Sequence, residues 1–395
     1  MGSAAQAPEE PAVEQTVEEL DVGGAAEAPA EPAVEVGIRN VSELDQVAAA
    51  VQELEVEIRN QTGGPAEQRD LAAGVLQLIR ENLLRMPSSA AQRAIGMIRE
   101  NISSDYLSAD FWRGIGMVLR YQIDETTALI QRRMRGEYTT DAYGMDAELI
   151  DLVRPLSSFL YRTYWRVSVE GLENVPSEGR ALLVSNHGGV LPWDAVMIAT
   201  AVMEDHSEPR VIRTLYPSAF RALPGIGSLL SAFGQVHDTP ENAVRLLQED
   251  QLVCVFPEGV NGLGKLFRNR YKLQRFRRGG SVGVAIRASA PVVPIAVVGS
   301  EETYPMLANA EPLAQMLRLP YFPITPLFPW LGPLGLLPLP SKWTITFGEP
   351  ISTAEYRPEA ADDPQAVSRL TDQVRERIQA LLDERLAARK SVFKG

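Results

Sequence analysis

Short runs of β-branched and apolar residues alternate with helical stretches after residue 138, and this alternation limits the possible folds more than any other feature of the chain. The predicted strands lie at residues 166–171, 181–185, 210–215, 252–256, 292–298 and 343–347. Runs of this length and composition are typical of strands. Strands that are joined through helices pair in parallel, because a parallel pair needs a long crossover connection. The sequence therefore predicts an α/β fold with a mainly parallel sheet flanked by helices.

Helical patterns precede and follow these strands. The predicted helices before the strands cover residues 42–61, 67–85, 90–101 and 111–135. The last helix is predicted to begin after Asp363 as its cap, with Pro364 in the first turn. Its apolar face consists of Val367, Leu370, Val374, Ile378, Leu381 and Leu382. We expect this face to pack on the sheet.

Composition and pattern divide the chain into three parts. Residues 1–37 contain nine acidic side chains and no basic one, and so account for most of the net charge of −13. This leader is rich in Ala, Pro and Glu and has too little apolar surface to fold, which predicts disorder. We predict a disordered acidic leader at residues 1–37, a helical region at residues 38–137 and a catalytic domain at residues 138–395.

Cysteine usage and the amino terminus bear on the compartment. Cys254 is the only cysteine, so neither a disulfide framework nor a zinc cluster is available, and we predict no metal site. The amino terminus has no basic residue followed by an apolar stretch, which argues against a secretory signal. We expect the protein to remain in the cytoplasm.

Polar residues directly follow two of the predicted strands. Residues 186–195 read Asn-His-Gly-Gly-Val-Leu-Pro-Trp-Asp-Ala, and residues 256–259 read Phe-Pro-Glu-Gly. A neutral imidazole can take a proton from a hydroxyl, and a carboxylate on its other nitrogen stabilises the imidazolium that forms. The carboxyl ends of strands in an open α/β sheet are where ligands collect. We therefore expect His187, Asp194 and Glu258 to share one site.

These blocks resemble the glycerolipid acyltransferase family, of the lysophosphatidic acid acyltransferase type. The best-known motifs of that family are Asn-His with an Asp following, and Phe-Pro-Glu-Gly. Residues 290–299 resemble its Val-Pro-Ile strand, and residues 234–237 its Gly-x-Ile strand. The resemblance covers about residues 138–385. It implies transfer of a fatty acyl group from a thioester of coenzyme A or acyl carrier protein to a hydroxyl of a glycerolipid or lysolipid, with no other cofactor.

The resemblance also implies roles for individual residues. His187 is the candidate general base and Asp194 orients it, so that no Ser or Cys nucleophile is required. Backbone amides of the Gly188-Gly189 turn, or of the helix start near Asp194, could stabilise the oxyanion. Glu258 would bind an acceptor hydroxyl or fix a loop. The predicted substrate-binding residues are Phe256, Pro257, Glu258, Gly259, His237, Arg277 and Arg278.

The sequence departs from the family pattern in two places. Six residues separate His187 from Asp194, where the family has four. On a straight helix this separation would span about 10 Å, so the dyad requires the stretch to bend as a loop. Residues 238–242 also lack the Arg with which the family often binds the acceptor's phosphate. This favours a neutral glyceride or another lysolipid, as in the monoacylglycerol-type relatives.

Residues 268–278 hold six basic side chains and no acidic one. Such a run is either a solvated face or a phosphate-binding segment, for the donor, a lipid headgroup or an anionic membrane. The interleaved aromatic residues would also fit nucleic acid, but the position of the run after Phe-Pro-Glu-Gly favours lipid phosphate, and we predict no nucleic-acid partner. His206, with acidic neighbours, is predicted to be solvated.

Residues 321–340 carry no charge and include six prolines and Trp330. Six prolines exclude a spanning helix, because lipid cannot replace the lost backbone donors. The segment is either a Pro-rich loop packed on the domain or a hydrophobic lip that dips into one leaflet, which would make the protein a peripheral membrane protein. Two other functions stay open: a lipid-binding or transfer protein without turnover, and an acyl-thioester hydrolase.

Overall fold

The computed structural model describes residues 41–61, 82–102, 135–221, 225–276 and 280–393, with residue 80 and short stretches between residues 120 and 133. The predicted leader at residues 1–37 lies outside the described residues, and so do large parts of the predicted helices at 67–85 and 111–135. The domain boundary near residue 137 stays a prediction.

The described helices and strands follow the predicted alternation. The helices are α1 Val41–Gln61, α2 Ser88–Ile102, α3 Ala147–Phe159, α4 Trp193–Glu204, α5 Ser218–Arg221, α6 Ile226–Ala232, α7 Pro240–Gln248, α8 Val260–Leu263, α9 Gly280–Ala288, α10 Glu311–Met316 and α11 Pro364–Ala388. The strands are β1 Ser168–Glu170, β2 Ala181–Ser185, β3 Ile212–Tyr216, β4 Val236–His237, β5 Leu252–Val255, β6 Val292–Val298, β7 Ala308–Asn309, β8 Pro323–Ile324 and β9 Thr344–Phe347.

Seven of these strands form one sheet in the order β1-β9-β6-β2-β5-β3-β4. Every neighbouring pair is parallel except β6 with β9, which is antiparallel. The predicted α/β fold with a mainly parallel sheet is therefore confirmed. The central strand β2 lies between β6 and β5, so the chain that leaves β2 emerges beside the ends of both neighbours.

Both faces of the central strand β2 are buried. Leu182 and Val184 of β2 belong to the apolar core beneath α7, α9 and α11. Ala181 and Leu183 point the other way, into the core beneath α4. Successive strand residues alternate between faces, so a strand covered on both sides must be apolar throughout. This explains why β2 reads as a continuous apolar run.

The last helix, α11, forms as its sequence predicts. The side chain of Asp363 accepts a hydrogen bond from the backbone N–H of Gln365 at 2.9 Å, which caps the first turn. Leu370, Val374 and Ile378 are fully buried in the core that includes β6. The helix covers one face of the central strands.

The amino-terminal helices form a smaller core of their own. Val47, Val51 and Leu54 of α1 pack against Ile95 and Ile98 of α2. None of the described helices combines the length and the apolar content needed to cross a bilayer.

Ile378→Ala should lower the free energy of unfolding by about 2–4 kcal/mol, because it removes a fully buried side chain and leaves a cavity under the sheet. Glu376→Ala, at an exposed position of the same helix, should change it by less than about 0.5 kcal/mol. Urea unfolding followed by circular dichroism measures both. Equal losses in the two variants would contradict the packing of α11 on the sheet.

Candidate active site

His187 and Asp194 meet across a loop between β2 and α4. The backbone bends at Gly189, whose φ is +79°, and the helix begins only at Trp193. The His187 Nδ1 lies 2.7 Å from Asp194 Oδ2, and both side chains are buried. A carboxylate on Nδ1 favours the tautomer with its proton there, which leaves Nε2 as the basic nitrogen. The bend that the unusual spacing requires is present.

The Asp194 carboxylate is held by backbone donors as well as by the imidazole. The N–H of Gly188 donates to Oδ2 at 3.0 Å, and the N–H of Ala195 donates to Oδ1 at 2.9 Å. These bonds fix the carboxylate against the ring. They also occupy the N–H of Gly188, which was one of the groups expected to stabilise an oxyanion.

Asn186 attaches the start of the same loop to β6. Its side-chain N–H donates to the carbonyl of Val297 at 3.0 Å, and its Oδ1 accepts from the N–H of Val297 at 2.7 Å. A side-chain amide can continue a strand's hydrogen-bonding pattern in this way. The loop is thereby fixed to a neighbouring strand immediately before His187.

Glu258, from the turn after β5, is completely buried and directed at protein groups. Its Oε1 accepts the backbone N–H of His187 at 2.9 Å. Its Oε2 accepts the backbone N–H of Gln274 at 2.6 Å and lies 3.2 Å from Lys265 Nζ. These contacts are those of a residue that fixes loops, the second of the two roles considered for it.

Glycines let the backbones behind His187 approach closely. A Cβ on Gly262, in α8, would lie 2.7 Å from the Cβ of His187 and 2.8 Å from the Cβ of Glu258. Gly259 has φ +57° and ψ −144°, a conformation that essentially only glycine adopts. The Phe256 ring stacks on the imidazole with 4.2 Å between centroids. The Phe-Pro-Glu-Gly turn therefore supports the histidine from behind and from one side.

A small cleft lies beside His187. His187, Phe256, Pro257 and Gly259 line it together with Asp238, so four of the predicted site residues share this space. Asp238 stands at the start of the segment in which the family often has its Arg. The cleft is thus lined by an acidic residue in that region.

His237 is not among the residues that line this cleft. His237 packs edge-on against Tyr216, with 5.8 Å between ring centroids, and its buried Nε2 has no hydrogen-bond partner among the described residues. Arg277 and Arg278 lie outside the described residues. The prediction for His206 is wrong: the ring is buried, with Nδ1 2.7 Å from the carbonyl of Glu208 and Nε2 2.9 Å from that of Val175.

The aromatic residues of the basic run face the protein interior. Tyr271 and Phe276 belong to the apolar core, whereas Arg268 and Arg275 are exposed. A stacking surface for bases would need the rings outside. In the described part of the run, the basic side chains therefore form an exposed surface, and the aromatic side chains lie in the core beneath it.

Sequence reasoning missed Lys265 and Glu301 as parts of the site. Lys265 Nζ lies 3.1 Å from Glu301 Oε1, and both residues are buried. The same oxygen accepts the backbone N–H of Tyr271 at 3.0 Å. Burial raises the pKa of Glu301 to about 7, although Lys265 opposes the shift. Glu301 lies three positions after the end of β6. The expectation that residues after strand ends form the site therefore pointed to Glu301 as well.

Comparison with known proteins places the chain in a family. The sequence model of the Acyltransferase family matches residues 166–298. An uncharacterized protein of Mycobacterium tuberculosis is 49% identical over 267 residues, which are 67% of this chain and 75% of that protein. An uncharacterized protein of Mycobacterium leprae is 46% identical over 278 residues, 70% of this chain and 76% of that protein.

Two further similar proteins have names that describe an activity. The "DGAT1/2-independent enzyme synthesizing storage lipids" of Bos taurus is 25% identical over 216 residues, 55% of this chain and 59% of that enzyme. The crystal structure of the 1-acyl-sn-glycerophosphate acyltransferase PlsC of Thermotoga maritima is 18% identical, with a TM-score of 0.40, and covers 62% of this chain and 83% of that one. The chain therefore contains an Acyltransferase-family domain at residues 166–298, and this family supports acyl transfer as its activity.

Gly262→Ala should lower the free energy of unfolding by about 1–3 kcal/mol, because the new methyl group must displace the Cβ atoms of His187 and Glu258. Gly280→Ala, at the start of α9, adds a methyl group that meets nothing within 4 Å. It should leave stability unchanged or slightly raise it. Chemical unfolding of both variants measures the difference, and a similar loss in each would contradict the close packing behind His187.

Proposed function

We propose that this acyltransferase moves a fatty acyl group from a thioester donor to a hydroxyl of a glycerolipid or lysolipid, with His187 as general base. The hydrogen bond of 2.7 Å between His187 Nδ1 and Asp194 Oδ2, beside a cleft that His187 lines, carries the proposal. The donor is a thioester of coenzyme A or of acyl carrier protein, and no further cofactor takes part.

The reaction needs two proton transfers, one to His187 and one from it. His187 Nε2 takes the proton of the acceptor hydroxyl while the oxygen attacks the thioester carbonyl. Asp194 stabilises the imidazolium that forms. The tetrahedral intermediate then breaks its carbon–sulfur bond, and the leaving thiolate takes the proton from the imidazolium. The products are the ester and the free thiol, and the base is regenerated.

The missing Arg favours a neutral acceptor. Residues 238–242 contain no basic side chain, and Asp238 lines the cleft together with His187. An acceptor's phosphate would need a cationic partner in this segment. A monoacylglycerol is therefore the proposed acceptor, in preference to lysophosphatidic acid.

Residues 321–340 form the proposed contact with one face of a membrane, the cytoplasmic one. Trp330, Leu334 and Leu337 are 72%, 66% and 60% exposed. The hydroxyl of Tyr321, where the segment begins, donates to the carbonyl of Val190 at 2.5 Å, three residues after His187. An apolar surface of this kind inserts shallowly into the acyl boundary of a leaflet. It would present lipid substrates beside the active-site loop.

His187→Ala should lower acceptor-dependent thiol release from a long-chain acyl-coenzyme A by about 10²- to 10⁴-fold, because the attacking hydroxyl loses its base. His206→Ala, which removes a buried histidine at the opposite end of α4, should retain most of the rate in the folded fraction. Thiol release is measured with monoacylglycerol and with lysophosphatidic acid, and monoacylglycerol should be the better acceptor.

Thiol release and lipid binding, measured on the wild type and on His187→Ala, decide between the three functions. Thiol release that needs no acceptor, and that is lost in His187→Ala, would identify a hydrolase. No release with either acceptor, together with lipid binding that survives His187→Ala, would identify a lipid-binding protein.

Replacing Trp330 and Leu334 together by Ser should weaken partitioning onto phospholipid vesicles by at least about tenfold. The variant lacks two apolar side chains whose transfer from water into the membrane favours binding. Leu156→Ser, which replaces a Leu that is 55% exposed on α3, serves as the control and should leave partitioning unchanged. Vesicle sedimentation measures both. Equal partitioning of the two variants would contradict a membrane role for this segment.

A further inference from the structure

Two buried carboxylates share one ammonium group behind His187. Lys265 Nζ lies 3.2 Å from Glu258 Oε2 and 3.1 Å from Glu301 Oε1. Glu258 is completely buried, and Glu301 and Lys265 are 5% and 8% exposed. With all three groups ionised, this cluster of Glu258, Lys265 and Glu301 carries one net negative charge in a place that solvent barely reaches.

Glu301 also packs directly against the loop that carries His187. A Cβ on Gly188 would lie 2.2 Å from Glu301 Cγ, and a Cβ on Gly189 would lie 2.8 Å from the carbonyl oxygen of Ser300. The 3₁₀ turn Ser300–Glu302, which follows β6, therefore supports the two glycines of the loop. Only residues without a side chain allow this approach.

We propose that Glu301 is a positioning residue for acyl transfer, which holds Lys265 and the Gly188 turn in place and supplies the net negative charge of the cluster behind His187. The inference rests on the proposed function, because it assigns His187 the role of base. Glu258 connects the cluster to the base, since its Oε1 accepts the backbone N–H of His187 at 2.9 Å.

The charge of the cluster affects the step in which the base becomes an imidazolium. A fixed negative charge in a poorly solvated place stabilises a positive charge that develops nearby. Glutamine at position 301 would preserve the shape of the side chain and leave Lys265 paired with Glu258 alone. The cluster would then be neutral, and the imidazolium would lose part of its stabilisation.

The groups around Glu301 determine how this effect depends on pH. Lys265 and Glu258 are its charged neighbours, Asp194 lies beyond Gly188, and Tyr271 contributes a backbone N–H. Because burial raises the pKa of Glu301 to about 7, its negative charge is present at pH 8 and mostly lost at pH 6. The contribution of Glu301 should therefore appear as the pH rises through 7.

Glu301→Gln should lower kcat about tenfold at pH 8, which corresponds to one unit of pKa in stabilisation of the imidazolium, with little change in KM. At pH 6 its kcat should approach that of the wild type. Glu301→Asp, which keeps the charge, should recover part of the rate. The matched control is Glu302→Gln: Glu302 is also 5% exposed but pairs with Arg389, at 2.8 Å. It should change kcat by less than twofold at either pH.

A second measurement does not depend on turnover. The chain has three histidines, so the ¹⁵N-coupled Nδ1–H signal of His187 can be assigned as the one missing in His187→Ala. Glu301→Gln should shift this signal and speed its exchange with water, because the loop loses a support, whereas Glu302→Gln should leave it unchanged.

Equal losses of kcat in the Gln variants at positions 301 and 302, or a loss at 301 that is the same at pH 6 and pH 8, would overturn the proposal. An unchanged His187 signal in Glu301→Gln would overturn it as well. If the wild type released no thiol, the proposed function would fail, and the His187 signal alone would decide whether Glu301 positions the loop.

Discussion

The hydrogen bond from the backbone N–H of His187 to the Glu258 carboxylate joins the ends of two neighbouring strands, and the site depends on it. β2 and β5 pair in parallel, so the chain leaves both at the same edge of the sheet. The conformation of the loop sets the direction in which the N–H of His187 points. Both oxygens of a buried carboxylate need hydrogen-bond partners. Together they fix where the imidazole stands relative to the cleft.

Local patterns predicted the elements of this fold, because strands buried on both faces and capped helices are encoded within short stretches. The boundaries of β2 and β6 and the cap at Asp363 follow from neighbouring residues alone. The dyad was predicted by chemistry and motif, although its spacing left the loop geometry open. The burial of His206 and the pairing of Lys265 with Glu301 could not be predicted, since each depends on residues about 30 or more positions away.

Buried charges near His187 carry an energetic penalty that packing alone does not explain. Two carboxylates with one ammonium leave a negative charge in a dry environment, and the raised pKa of Glu301 records that penalty. Apolar residues of similar volume would avoid it. In the proposed reaction the same charge favours the imidazolium that must form, so a local loss of stability has a use in catalysis.

The proposed acceptor and the proposed membrane contact depend on each other. A neutral glyceride lacks a charged headgroup and stays within the leaflet, so an enzyme that uses it must reach into the acyl region. The bond from Tyr321 to Val190 connects the exposed apolar segment to the loop of His187. A phosphorylated acceptor would instead be held at the lipid surface by basic groups, and residues 238–242 supply none. The apolar approach and the missing Arg therefore favour the same class of substrate.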